Sequence, residues 1–412
     1  MLKYFIAVTE NLIATAVLLG LLYACMGNVH GSSGRKAIAA GTLGGVAAAA
    51  VMAYLKNQTS LIHTGIWNVR IFIISLIALA LFASFYAVRE KTGVKGELIR
   101  VYCAGILAFT FVFYAMPDTL AYPFTISLNG SPVFSTFYLM RLIGWLLGLI
   151  LVFITFLAIE NAARRSKYAV FTMAVALGIN ALSQISKILQ VLVTRRILKD
   201  AVFFQIARYS SNYGDWFIYA VLLAALIAPV KLLLDSLRVQ EPYENPAQYR
   251  KIRAKWRDAR RWSCTAAACF LVATLCVTVL KSISSRPVQL SPIEESELID
   301  NTVRAPLFRV NDGHLHRFAY TTPNGKEVRF IVIKKPNSSS YGVGLDACEI
   351  CGETGYYERN GQVVCGLCDV VMNINTIGFK GGCNPIVIDY SVENGNIVVP
   401  VSTLIEHENE FK

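Results

Sequence analysis

Between Phe5 and Lys281 the chain repeats one pattern, a run of about 18–25 apolar residues with scarcely a charge inside it. Hydrocarbon offers the backbone no hydrogen-bond partner, so a run of this length must satisfy its own N–H and C=O groups as a helix. The runs fall near 5–26, 37–55, 71–88, 101–119, 136–159, 169–193, 214–236 and 263–281, which predicts about eight spans. Of the 412 residues 55% are hydrophobic and 16% charged, whereas soluble domains carry about 25% charged residues. The first run exceeds the ~7–15 residues of a signal-peptide core and is expected to stay as the first helix. The second carries a small-residue face (Ala39, Ala40, Gly41, Gly44, Gly45 and Ala47 to Ala50) that permits close helix packing in lipid. The expected fold is a polytopic α-helical membrane bundle over 1–281, a linker over 282–300 and a small β-rich, Cys-rich metal-binding domain over 301–412.

The formal charge of +12 does not point to nucleic acid, because no basic groove with interleaved aromatics is present. The cations concentrate in short loops, where they act as topology signals. Arg35 and Lys36 follow the first run; Arg89, Lys91, Lys95 and Arg100 the third; Arg164, Arg165 and Lys167 the fifth. After the seventh comes the densest group, from Lys231 to Arg261. The segment Pro117–Met140 has no Lys or Arg at all. Cations stay cytoplasmic, so the amino terminus and the C-terminal domain are expected outside. Arg195, Arg196, Lys199 and Arg208, after the sixth run, dissent from this arrangement.

Beyond Lys281 a segment with Ser282, Ser284, Ser285, Pro287, Ser291 and Pro292, then Glu294, Glu295 and Glu297, breaks the helical pattern and reads as a tether. Short strands are expected at Leu315–Tyr320, Val328–Lys334, Val363–Cys365, Ile386–Tyr390 and Ile397–Val401. Asn311-Asp312-Gly313, Pro323-Asn324-Gly325, Asn360-Gly361 and Asn394-Gly395 punctuate them as turn signals that accept positive φ.

Ten cysteines divide evenly between the two parts. Cys25, Cys103, Cys264, Cys269 and Cys276 lie in or beside apolar runs, where cysteine behaves as a small hydrophobe. Cys348, Cys351, Cys365, Cys368 and Cys383 cluster in the small domain. Cys348-Glu349-Ile350-Cys351 and Cys365-Gly366-Leu367-Cys368 are two C-x-x-C knuckles thirteen residues apart, a spacing that lets two thiolate pairs converge on zinc or iron. Cys383 exceeds what a plain four-thiolate zinc site needs. A structural zinc ribbon, disulfides or a redox dithiol remain open on spacing alone. Attached haem is excluded, since Gly352 and Asp369 rather than histidine follow the knuckles. His314 and His316, two of five histidines, are two apart on an expected strand and share a face, so both imidazoles could reach one ion; solvent-facing histidines are the other reading.

Three segments together resemble the FtrD-like membrane iron-sulfur family: Asp346-Ala347-Cys348-Glu349-Ile350-Cys351-Gly352, Cys365-Gly366-Leu367-Cys368-Asp369, and Asn375 to Pro385 with its Gly381-Gly382-Cys383. His314-Leu315-His316-Arg317-Phe318 is similar to a strand of the same family. The resemblance covers about residues 305–400. It implies an iron-sulfur cluster, with mononuclear iron, copper or zinc as the competing centre. It further implies a bacterial inner-membrane electron-transfer or iron-handling component, without a catalytic triad, working beside an iron permease, a periplasmic iron- and copper-binding protein and redox partners. Two other readings stand against it. The bundle could itself transport a metal ion through Glu10, Asn11, Glu160, Asn180, Gln184 and Asp215, although the Arg-Glu-x-x-Glu signature of iron permeases is incomplete at Arg89-Glu90-Lys91-Thr92-Gly93. Alternatively a zinc-stabilised domain could dock partners as an assembly subunit.

Overall fold

The computed structural model describes residues 1–56, 63–89, 93–128, 136–238, 241–284, 289–336, 338–359, 361–368, 370–379 and 383–411. The incomplete permease signature at Glu90–Thr92, the tether residues Ser285 and Pro287, and Asn360, Asp369, Gly381 and Gly382 lie outside the described residues. The chain divides into two compact units, the helical bundle and a second unit running from Ser285 to Lys412.

Among the described residues, seven helices in the first unit are long and apolar enough to cross a membrane. The first two of the eight expected runs both fall within the first of these helices, and the physical reason lies at one residue. α1 runs Leu2–Lys56 with Gly31 alone out of helical geometry, at φ 56° and ψ −125°. That left-handed value suits glycine. It folds the helix back on itself, and a Cβ at Gly34 would stand 2.9 Å from the Met26 carbonyl oxygen. The first two apolar runs are therefore two arms of one reversed helix.

The remaining runs fall on α2 (Thr64–Ala87), α3 (Gly93–Leu128), α4 (Thr136–Arg165) and α5 (Ala169–Thr194). A short α6 (Ala201–Asn212) starts at Asp200, whose carboxylate accepts from the Val202 N–H at 2.7 Å. α7 (Asp215–Ala225) and α8 (Ile227–Leu237) make up the next span. Pro229 has no N–H to offer Ala225, which accounts for the interruption at Leu226. α9 (Pro246–Leu275) continues through a π turn, Cys276–Leu280, to Ser284. The first arm of α1 is the buried centre, with Ile13, Val17, Leu21 and Leu22 at most 0% exposed. The small-residue face does what its composition suggests: a Cβ at Gly41 would run into the Gly105 carbonyl, and one at Gly45 would lie 2.8 Å from the Phe109 carbonyl. The second arm and α3 thus touch backbone to backbone.

The second unit is a small β-sandwich with an extra layer. One antiparallel sheet has the order β1-β2-β9-β8, from Glu297–Ile299, Thr302–Pro306, Asn396–Pro400 and Ser391–Glu393. β3 (His316–Thr321), β4 (Glu327–Lys334) and β5 (Tyr341–Leu345) form a second sheet, and β6 (Tyr356–Arg359) with β7 (Gln362–Cys365) a hairpin. The turn signals hold where they are described, with Gly325 at φ 79° between β3 and β4 and Asn394-Gly395 at 48° and 77° between β8 and β9. Ile386–Tyr390, expected as a strand, is irregular; only Ile386 pairs, through Leu345 N–H to its carbonyl at 2.8 Å and its own N–H to Ala347 at 3.0 Å. Glu297–Ile299, inside the expected linker, pairs with β2.

Strand parity organises the domain. Even-numbered Phe318, Val328, Phe330 and Val332 pack against Val303, Ala305, Ile397 and Val399 of the four-stranded sheet. Odd-numbered Leu315, Ile331 and Ile333 face a different core that contains the cysteines. β4 is therefore buried on both faces, which explains its unbroken Phe330-Ile331-Val332-Ile333 run; each such side chain contributes about 1.5–3 kcal/mol when fully buried.

Candidate metal centre

Each knuckle hangs from the end of a strand. β5 ends at Leu345 and delivers Cys348; β7 ends at Cys365 itself. The first loop closes on its own backbone, with Cys348 N–H to Gly352 C=O at 3.2 Å and Gly352 N–H to Cys348 C=O at 2.9 Å. Gly352 takes φ 66° to do so. Inside the loop the Cys351 N–H donates to Cys348 Sγ at 3.1 Å. The second loop leans on the first: Gly366 N–H donates to the Gly355 carbonyl at 2.8 Å, and a Cβ on Gly366 would come within 2.7 Å of the Thr354 carbonyl. Only glycine allows that approach.

The result is two overlapping triangles of sulfur. Sγ atoms of Cys348, Cys351 and Cys365 lie within 4.8 Å of one another, and so do those of Cys351, Cys368 and Cys383. Cys351 belongs to both. Cys368 and Cys383 are 3.6 Å apart, too far for a disulfide bond of about 2.05 Å. Cys348 and Cys365 are buried, the other three half-buried, and Leu315, Met372 and Ile377 pack beside them.

Burial pushes the Cys351 thiol well up from its ordinary range, and the sulfurs of Cys368, Cys365 and Cys348 add to the effect. Burial also raises Cys365, opposed by the backbone N–H groups of Cys368 and Leu367. Five thiols this close cannot all ionise alone; a cation among them makes thiolates of them. Soft sulfur donors with backbone N–H groups turned toward them suit iron, zinc or copper(I).

A buried ion pair that the sequence reading missed holds the cysteine loops. Arg317 (1% exposed) donates from Nε to Asp346 Oδ2 at 2.7 Å, from Nη1 to Ser291 Oγ at 2.8 Å, and from Nη2 to the Tyr356 carbonyl. Asp346 Oδ1 accepts from Tyr356 N–H at 2.8 Å, and burial raises this carboxyl against the pull of Arg317. Tyr356 in turn donates its hydroxyl to the Cys383 carbonyl at 2.6 Å. The network connects β3, the residue two before the first knuckle, the strand opposite Cys365, and the Cys383 loop. An arginine on the odd, sulfur-facing side of an apolar strand was the signal in the sequence.

The five cysteines are brought together, and the two histidines are not brought to them. His314 precedes β3, and Leu315 between the two histidines takes the sulfur-facing position. His314 Nδ1 pairs with Glu358 at 2.9 Å. His316 pairs through Nδ1 with Glu294 and through Nε2 with Asp312, both at 2.8 Å. Each imidazole is thus engaged by carboxylates, a different setting from the shared ion that the spacing suggested.

No curated protein and no solved structure matches the chain. Residues 310–411, the segment that carries all five of these sulfurs, match the family described as membrane iron-sulfur containing protein FtrD-like.

Proposed function

We propose that this protein holds a polynuclear iron-sulfur centre on a membrane anchor and passes single electrons to partners in bacterial iron uptake. The observation that carries the reading is the pair of sulfur triangles sharing Cys351: the thiols extend beyond one tetrahedron, which is more than a single zinc ion requires. Such a centre, when bound, supplies one-electron oxidation and reduction. The chain's own contribution is to hold it with Cys348, Cys351, Cys365, Cys368 and Cys383, to stabilise thiolate charge with the N–H groups of Cys351, Leu367 and Cys368, and to exclude water with Leu315, Met372 and Ile377. Ile350, Leu367 and Phe379 stand 68%, 61% and 61% exposed, two of them on the knuckle tips. Apolar side chains bared around a redox centre suit a docking partner such as a periplasmic iron- and copper-binding protein or an electron carrier.

The distribution of cations supports an inner-membrane protein with the C-terminal domain on the extracytoplasmic side. The dissenting cations precede α6 (Arg195, Arg196, Lys199) or lie on it (Arg208), and its Val202, Phe203, Phe204 and Ile206 are exposed. An amphipathic helix of that kind lies in the interface and anchors its own cations there.

The transporter reading attaches to a cavity of about 240 Å3 lined by Glu10, Asn11, Asn180 and Lys187. Its carboxylates are already engaged, Glu10 by Lys281 at 2.9 Å and Asp118 by Lys56 at 2.7 Å, and Lys281 also holds Asp215 at 2.7 Å. Gln184 donates to Ser75 at 3.1 Å. These are satisfied pairs, which favours the electron-transfer reading. The test is metal analysis with electron paramagnetic resonance on the anaerobically purified full chain. Iron with a reducible signal, lost in Cys348→Ser and Cys368→Ser, is the expected result. Stoichiometric zinc and a silent spectrum would overturn it, and iron uptake by the chain alone in vesicles would move the function to the bundle.

A further inference from the structure

A cavity of about 810 Å3 runs between the two arms of α1, α3 and α4. Leu12, Ala16, Leu19, Ile38, Val152 and Phe156 make much of its wall. Its charged residues, Arg35, Glu160 and Arg164, collect at one end together with Tyr23, beside the reversal at Gly31. From Tyr23 to Leu12 the groove follows the first arm for about 16 Å at about 1.5 Å per residue. That is the depth of one leaflet in a hydrocarbon core about 30 Å thick.

The cations at the polar end are treated differently. Arg164 is shared with Glu160 at 3.6 Å and with Asn161 Oδ1 at 3.2 Å. Arg35 has no carboxylate among the described residues. Its guanidinium lies over Gly27, where a Cβ would collide with it, and 5.6 Å from the centre of the Tyr23 ring. Its Nε is buried and without a hydrogen-bond partner among the described residues. A guanidinium fixed by packing, short of an anion and partly withdrawn from water, is unfavourable until an anion reaches it. Phosphate matches its fork of donors.

We infer that this groove binds an anionic glycerophospholipid, with the phosphate on Arg35 and one acyl chain laid between the arms of α1 and α4. The lipid completes the hairpin: its headgroup supplies the missing acceptor at the turn, and its chain fills the space that the helices leave. A zwitterionic lipid offers the same chain but carries its own cation beside the phosphate, so it competes poorly at an end where the arginines outnumber the carboxylate by one.

The experiment uses the full chain, delipidated in mild detergent and then offered equal phosphatidylglycerol and phosphatidylcholine, with retained lipid read by native mass spectrometry. Phosphatidylglycerol is expected to be retained preferentially, and Arg35→Gln to reduce that preference by about tenfold, the loss of one charge-assisted contact. Ala39→Phe, which fills the groove and leaves Arg35 in place, is expected to lower retention as well. Unchanged iron content and a single elution peak certify that each variant is folded. Equal retention of the two lipids by the wild type, an unaltered preference in Arg35→Gln, or full displacement by soluble glycerol 3-phosphate would each overturn the proposal; the last would mark a free-anion site with no use for the chain.

Discussion

The bundle and the C-terminal domain hold five cysteines each and use them in opposite ways. In the bundle Cys25, Cys103, Cys269 and Cys276 are buried among apolar neighbours and Cys264 is exposed; no metal-sized group of them forms among the described residues. In the domain five converge within two overlapping triangles. The same side chain fills space in one region and gathers around a centre in the other. What differs is the backbone: helices hold their N–H groups to themselves, whereas the knuckle loops turn theirs toward sulfur. Charge shows a matching contrast. The bundle places its Glu10–Lys281–Asp215 cluster where those side chains remain 26–45% exposed, while the domain buries Arg317 and Asp346 at 1% and 0%. A fully buried pair gives little net stability, but leaving either partner alone is strongly unfavourable, so it fixes the loops it joins.

The largest effect that could break this contrast is on the shared sulfur. Cys351→Ser should leave less than about a tenth of wild-type iron, because both triangles lose a corner. Cys269→Ala in the bundle should leave the iron unchanged, and elemental analysis of the two purified variants decides the matter. Next in size is Asp346→Ala, which strands Arg317 in the core and should destabilise the domain by about 3–5 kcal/mol. Hydrogen exchange across β3 to β5 should rise in that variant while the bundle helices keep their protection.

How far the sequence reaches differs between the regions for the same physical reason. A bilayer demands unbroken apolar runs, so the spans were legible, the first two as separate runs; that their connection stays helical but for Gly31 was not, because His30-Gly31-Ser32-Ser33-Gly34 reads as an ordinary loop. Spacing identified the knuckles. It could not show that Cys368 sides with Cys383, since that depends on Gly366 resting against Thr354, a tertiary contact. Alternation gave His314 and His316 a common side without saying which residue faces the sulfurs; Leu315 takes that position, and β3 begins only at His316. Ile386–Tyr390 reads as a strand from its β-branched Ile-Val-Ile run, yet only Ile386 finds ladder partners.

Gly41→Leu sharpens the comparison from the bundle side. The added side chain meets the Gly105 carbonyl and should destabilise the bundle by about 1–3 kcal/mol, seen as a lower midpoint in detergent melts with iron content untouched. The smallest effect is a titration. Glu358 raises the His314 pKa above the ordinary histidine value. A histidine raised in the folded state stabilises fully below its unfolded pKa of about 6.5, and the contribution is lost as pH rises through the folded value. In Glu358→Gln the His314 ring resonances should titrate at lower pH than in the wild type, with the cysteine centre unaffected.

Cys383 tests the central claim most directly, because a single four-thiolate ion held by the two knuckles has no use for it. The measurement is iron and acid-labile sulfide per chain, taken on anaerobically purified wild type and Cys383→Ser. A polynuclear centre predicts more than one iron with matching sulfide in the wild type and loss of both in the variant. One metal ion per chain, no sulfide and an unaltered content in Cys383→Ser would contradict the account.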